Sequence, residues 1–160
     1  MIQACAAIKC LRQAAPEKVL VLKEIRMVQP NNPRDLAAKN GTIPLRTAVT
    51  IMKRWRATNQ EIVSVLRVSR STCVRAQSDG HPIRLDTDQM TRISMVLNIH
   101  AALRTIFDNP ENVYSFPSLK NHNEFFEGRS PLQVMSQGDI ISFYETYRRI
   151  EALTRTCGQG

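Results

Sequence analysis

The sequence predicts an all-α protein. Apolar residues recur at spacings of three and four through most of its 160 residues. No alternating run of useful strand length occurs, and clusters of Pro, Gly and Asn punctuate the periodic stretches. Hydrophobic residues make up 42% and charged residues 22%, ordinary values for a chain that buries a core. Aromatics are 6%, so Leu, Ile, Val, Met and Ala must fill most of that core.

Residues 1–29 read as two helical pieces, about Ala4–Ala14 and Glu17–Val28, the second with a stripe of Val19, Leu22 and Ile25 or Arg26. Gln29–Pro33 is a breaker cluster, and residues 31–43 look irregular up to Gly41 and Pro44. A helix from about Leu45 to Arg56 follows, with Val49, Met52 and Trp55 on one face. Thr58 and Glu61 form a capping-box pattern in front of a short helix, Gln60–Leu66. The turn Arg67-Val68-Ser69 leads to another helix, Arg70–Ser78, which Asp79-Gly80-His81-Pro82 stops.

A long amphipathic helix is predicted over Asp88–Phe107, its stripe being Ile93, Val96, Leu97, His100, Leu103 and Phe107. Asn109-Pro110 ends it; Pro110–Phe116 has room for one helical turn, and residues 117–129 read as loop. Ser130, Pro131 and Gln133 have the order of an N-cap, a first-turn proline and a closing capping-box residue. Gly138 ends that short helix, and Asp139 is placed to cap a last one running to about Thr154. The chain divides into an extension, 1–44, and two helical domains, 45–83 and 84–160.

The net charge of +8 is unevenly spread: residues 1–80 carry 14 basic against 5 acidic side chains, and residues 81–160 carry 8 against 9. A basic front half suits a polyanion, because each cation placed near a phosphate releases a condensed counterion. A solvated basic surface accounts for the composition equally well. The four cysteines form no CxxC pair and no zinc-ligand spacing with His81, His100 or His122. Free thiols in a reducing, cytoplasmic compartment are expected, with no metal and no cofactor. The opening run, broken at Lys9, does not fit a secretory signal, and no segment approaches the roughly 20 apolar residues that span a bilayer. No P-loop, dinucleotide or nucleophile-elbow pattern occurs, so no enzyme is expected. Met90 and Met95 read as core residues.

The window Asn59–Gln77 has helix-turn-helix spacing. Ile62, Leu66, Val68, Cys73 and Ala76 fall where two crossed helices share a small core, with Val68 plugging the turn. Ser69 is placed to cap the second helix, whose outward residues are Arg70, Ser71, Thr72 and Arg75. Arginine bonds guanine bidentately, and the hydroxyls meet bases or phosphates. Two residues depart from the pattern: Val63 stands where a small residue is preferred, and Arg67 where the turn often needs positive φ and favours Gly. A purely structural helical pair with a basic face fits the same spacing.

From Arg84 onward the sequence resembles the Xre/MbcA/ParS antitoxin family. The resemblance rests on RLDTDQMTRISMVLNIHAALRTIFDNPENVYSF, then FFEGRSPLQVMSQGD, with Phe126, Gly128, Ser130, Pro131 and Leu132 its most specific part. RVSRSTCVR upstream is similar to the helix-turn-helix of that family, and the likeness covers about Arg54–Thr154. Phe116, Glu127 and Ala76 depart from the family's usual Trp, Gly and Trp. The resemblance implies an antitoxin that pairs with a RES-domain, NAD-consuming toxin and represses its own operon; the alternative reading is a stand-alone helix-turn-helix transcriptional regulator whose C-terminal domain binds a non-toxin partner. Operator DNA, the cognate toxin and a second copy in a homodimer are the partners the resemblance implies. Toxin contacts are expected from Phe126, Glu127 and Arg129, and from the tail, chiefly Arg155 and Gly158.

Overall fold

The computed structural model describes residues 41–78 and 82–157, the last two without their side chains. The helical pieces expected before residue 41, and Gly158, lie outside the described residues. All described residues belong to one unit, Arg34–Gly160. Every regular element among them is helical, as expected, and no strand occurs among them.

Helix α1 spans Thr42–Arg54 and starts three residues before the expected Leu45. Pro44 lies within its first turn, where a missing N–H leaves no hydrogen bond unmade. The start is anchored from far along the chain: Gly41 N–H donates to Ile83 O at 3.1 Å, and Ile83 N–H to Thr42 Oγ1 at 3.0 Å. Leu45, Ala48, Val49 and Met52 form its buried face, and Trp55, fully buried, extends it. The helix ends at Arg56 with φ of 63°, while Arg56 N–H bonds Lys53 O and Ala57 N–H bonds Met52 O, both at 3.0 Å. That pair of bonds is a Schellman cap with arginine where glycine is usual.

Helix α2 spans Asn59–Leu66 behind the expected Thr58–Glu61 capping box, and α3 spans Arg70–Gln77. Helix α4 covers Thr87–Ile106. Its start is fixed by a capping box not anticipated from the sequence, Asp86 accepting from Gln89 N–H at 2.7 Å and Gln89 Oε1 from Asp86 N–H at 3.0 Å. Helix α5 is Pro110–Ser115 behind an Asn109 cap, and it runs into a 3-10 turn, Phe116–Ser118. Helix α6, Pro131–Met135, has the expected Ser130–Gln133 capping box. Gly138, at φ of 89°, turns the chain into α7, Ile140–Cys157, where Asp139 Oδ1 accepts from Ser142 N–H at 2.7 Å.

Helix α4 is the spine. It packs most extensively on α7 and on α1, and touches α2 and α5 as well. This explains why its buried set is wider than the expected stripe. Ile93, Val96 and Leu103 of the stripe, and Met95, are buried as expected, but so are Arg92, Ile99 and Ala102. At 3.6 residues per turn these positions share one half of the helix, and Thr91, Ser94, Asn98, Ala101, Arg104 and Thr105 face solvent on the other. Both expected segments, 45–83 and 84–160, contribute to this core: Trp55 and Leu66 from the first, Ile99, Met135, Phe143 and Ile150 from the second. His100 stacks on Tyr114 with ring centroids 5.5 Å apart and lies 6.4 Å from the Trp55 ring. Trp55 Nε1 and His100 Nδ1 are buried there without a hydrogen-bond partner among the described residues.

Candidate nucleic-acid interface

The candidate interface is built on the connection between α2 and α3. Arg67 leaves α2 in the left-handed conformation, φ 52° and ψ 39°, an L-residue at a position where glycine is favoured. An L-residue resists this conformation by about 1–2 kcal/mol, so surrounding contacts must hold it. They come from the first turns of α4. Gln89 Nε2 donates to Arg67 O at 2.8 Å, and Arg67 Nη1 reaches Asp88 Oδ2 at 3.2 Å. Arg92, only 2% exposed, spans Asp88 Oδ2 at 2.9 Å and Val65 O at 3.2 Å. Its cation therefore sits on a terminal carbonyl of α2, the negative end of that helix dipole. Val68 is buried in the turn and belongs to the same core cluster as Leu66 and Ile62.

Helix α3 begins at Ser69, whose Oγ accepts from Thr72 N–H at 3.1 Å. The same oxygen lies 2.8 Å from Thr72 Oγ1 and 2.9 Å from Ser71 Oγ, so three hydroxyls form one cluster at the helix start. Its far end is clamped by α1. Arg46 Nε donates to Ala76 O at 2.6 Å and its Nη2 to Ser78 O at 3.1 Å, while Lys53 Nζ donates to Gln77 Oε1 at 2.8 Å. Ala76 is the buried contact of α3, and its small side chain allows close packing on α1.

Of the five residues expected to face DNA, Ser69, Arg70, Ser71 and Arg75 are exposed, and Thr72 is half-buried with its hydroxyl turned to Ser69. Neither Arg70 nor Arg75 has an ion-pair partner among the described residues, and α3 itself contains no carboxylate. An open groove of about 260 Å³ lies beside Arg70, lined also by Lys53, Val63, Cys73 and Val74; Arg75 is not among its lining residues. Burial pushes the Cys73 thiol above its usual pKa, so it is a neutral wall group. Val63 is half-buried there, which accommodates the branched side chain at the crossing. Arg46, Gln89 and Arg92 were missed as supports of the interface, since each acts on residues 22 to 32 positions away and leaves no local signal.

The expected partner contacts lie elsewhere, in the loop before α6 and at the end of α7. That loop is closed by Asn121 N–H to Arg129 O at 3.1 Å and Gly128 N–H to Asn121 O at 2.9 Å. Glu127 and Gly128 both have positive φ, 50° and 81°. Glu127 is exposed, and Arg129 is half-exposed, pairing with Glu127 at 3.6 Å and donating to Phe126 O at 3.1 Å. Phe126 is corrected by the structure: at 2% exposure it is a loop-anchoring core residue, edge-on to Phe125, and offers no surface to a partner. The Arg149 guanidinium lies over the Phe125 ring at 3.9 Å, joining the loop to α7. Arg155 is exposed in the last turn of α7, about 9 Å along the axis from Arg149. The last helix, expected to run to about Thr154, thus continues as far as Cys157.

No known family profile matches this chain, and no solved structure matches it. The uncharacterized protein y4oB of Sinorhizobium fredii is 27% identical over 129 residues, 79% of this chain and 97% of that protein. A Bradyrhizobium diazoefficiens protein named Endoribonuclease YbeY is 29% identical over 114 residues, 67% of this chain. The chain covers 56% of that second protein's length. Neither name refers to a DNA site or to a toxin.

Among the described residues, no helix is long and apolar enough to cross a membrane.

Proposed function

We propose that this chain is a cytoplasmic antitoxin that represses its own operon. In this reading α2 and α3 are a helix-turn-helix, and α3 enters the major groove of operator DNA. The loop at 119–130 and the end of α7 hold a RES-domain toxin, with Glu127, Arg129 and Arg155 as the exposed contacts. The observation that carries the DNA half is the pair of exposed arginines, without an ion-pair partner among the described residues, on a short helix held at both ends. Cations with no carboxylate neighbour on their own helix are suited to phosphates and to guanine edges. The toxin half rests on the sequence resemblance over Arg84–Thr154. A homodimer is proposed because two readers spaced about 34 Å apart match half-sites one DNA turn apart.

The test pairs DNA binding with toxin neutralisation in the full chain. Arg70→Ala with Arg75→Ala should abolish the electrophoretic shift of the DNA upstream of its gene. The same variant should still rescue growth when co-expressed with the neighbouring gene. Loss of rescue in a folded double variant would contradict the division of labour. Retained DNA binding by that variant would remove α3 from the interface.

A further inference from the structure

Val74 is 61% exposed, an apolar side chain on a helix whose other exposed residues are polar or cationic. Isolated exposed valines are common and need no explanation. The position of this one is informative. It lies four residues after Arg70 and three after Ser71, so all three share one face of α3. It also lines the same groove as Arg70 and Lys53.

The occupant of this face must satisfy a methyl surface and an arginine fork together. A second copy of the chain in a two-fold contact would set Arg70 and Arg75 against their own counterparts, like charge on like charge. The major groove of DNA supplies both complements: guanine offers two acceptors to an arginine, and thymine offers a 5-methyl group to an apolar side chain. Four residues of helix span about 6 Å, close to two base-pair steps of about 3.4 Å.

We propose that Val74 is a specificity residue that reads the 5-methyl group of a thymine one to two base pairs from the guanine read by Arg70. This rests on the reading of α3 as a DNA-binding helix.

The experiment is a thymine-to-uracil scan, which removes one methyl group at a time from the duplex. The duplex is selected from a randomised pool by the full-length protein, and binding is measured at low salt. One position per half-site should weaken binding about three- to fivefold, the effect of exposing one methyl-sized group. Val74→Ala should bind the thymine and uracil duplexes equally, and Val74 is exposed enough for that variant to fold. A flat scan in a protein that binds DNA overturns the role of Val74 and leaves the DNA reading intact. So does a scan with the same sensitive position in Val74→Ala. Failure to select or bind any duplex overturns the DNA reading itself, and this inference with it.

Discussion

Helices α3 and α7 both carry arginines, yet they use them differently. On α7, Arg149 pairs with Glu145 and Arg148 with Glu151 at 3.5 Å, each within one turn. On α3, Arg70 and Arg75 have no such partner among the described residues. Burial differs in the same sense. Helix α7 puts Phe143, Thr146 and Ile150 into the core, whereas α3 buries Ala76 alone. A helix anchored by one small side chain and by clamps at its ends gives most of its surface to solvent. The difference teaches that net charge alone is a poor guide to function. Whether a cation already has a carboxylate beside it matters more.

The largest effect should come from damage to α7. Phe143→Ala should cost about 3–5 kcal/mol of unfolding free energy. That is a large share of the ~5–15 kcal/mol typical of a domain, and DNA binding should fall together with partner binding. Urea unfolding read by circular dichroism measures it. Unchanged stability would break the contrast between the two helices. Next is Arg70→Ala with Arg75→Ala. At about 1–3 kcal/mol for each of the two contacts, operator affinity should drop roughly 10³-fold at the middle of that range, while the unfolding midpoint stays put.

Arg92→Ala sharpens the comparison, because Arg92 lies in the spine but serves the α2–α3 turn. It should cost about 1–3 kcal/mol by leaving Val65 O without its donor. Operator affinity should weaken more than partner affinity, which paired titrations of one sample would resolve.

The smallest effect expected is a pH dependence. Burial, with help from Arg104 and Arg54, lowers the pKa of His100 from 6.5 to about 4. The folded chain then holds fewer protons than the unfolded chain between those values. The stabilising contribution is complete above pH 6.5 and is lost as pH falls through about 4. His100→Gln should flatten the slope of unfolding free energy between pH 6.5 and 5. Asp139 adds a separate loss at lower pH. The Ser142 hydrogen bonds lower its carboxyl pKa, so its stabilisation is present above the ordinary carboxylate range and lost on acidification.

Much of the local architecture was legible because caps are written in a few adjacent residues. Thr58 with Glu61, Ser69, Ser130 with Gln133, and Asp139 all act where their spacing placed them. The Asp86–Gln89 box carries the same spacing and could have been read. The start of α1 was not legible, since its anchor at Ile83 lies 41 residues away. The exposed face of α3 was readable from its period, and Val74 belongs on it by the same rule that selected Arg70. The burial of Phe126 was not, because alternation and period say little inside a loop. The clamps from Arg46 and Arg92 arise only once α1 and α4 have packed.

Hydrogen exchange on one sample of the full chain, with and without each ligand, tests the separation of roles most directly. Adding the selected duplex should slow exchange across α3 and the α2–α3 turn and leave residues 119–130 unchanged. Adding the neighbouring gene's product should protect residues 119–130 and the end of α7 and leave α3 unchanged. Protection of the same segment by both ligands, or of α7 alone by DNA, would contradict it.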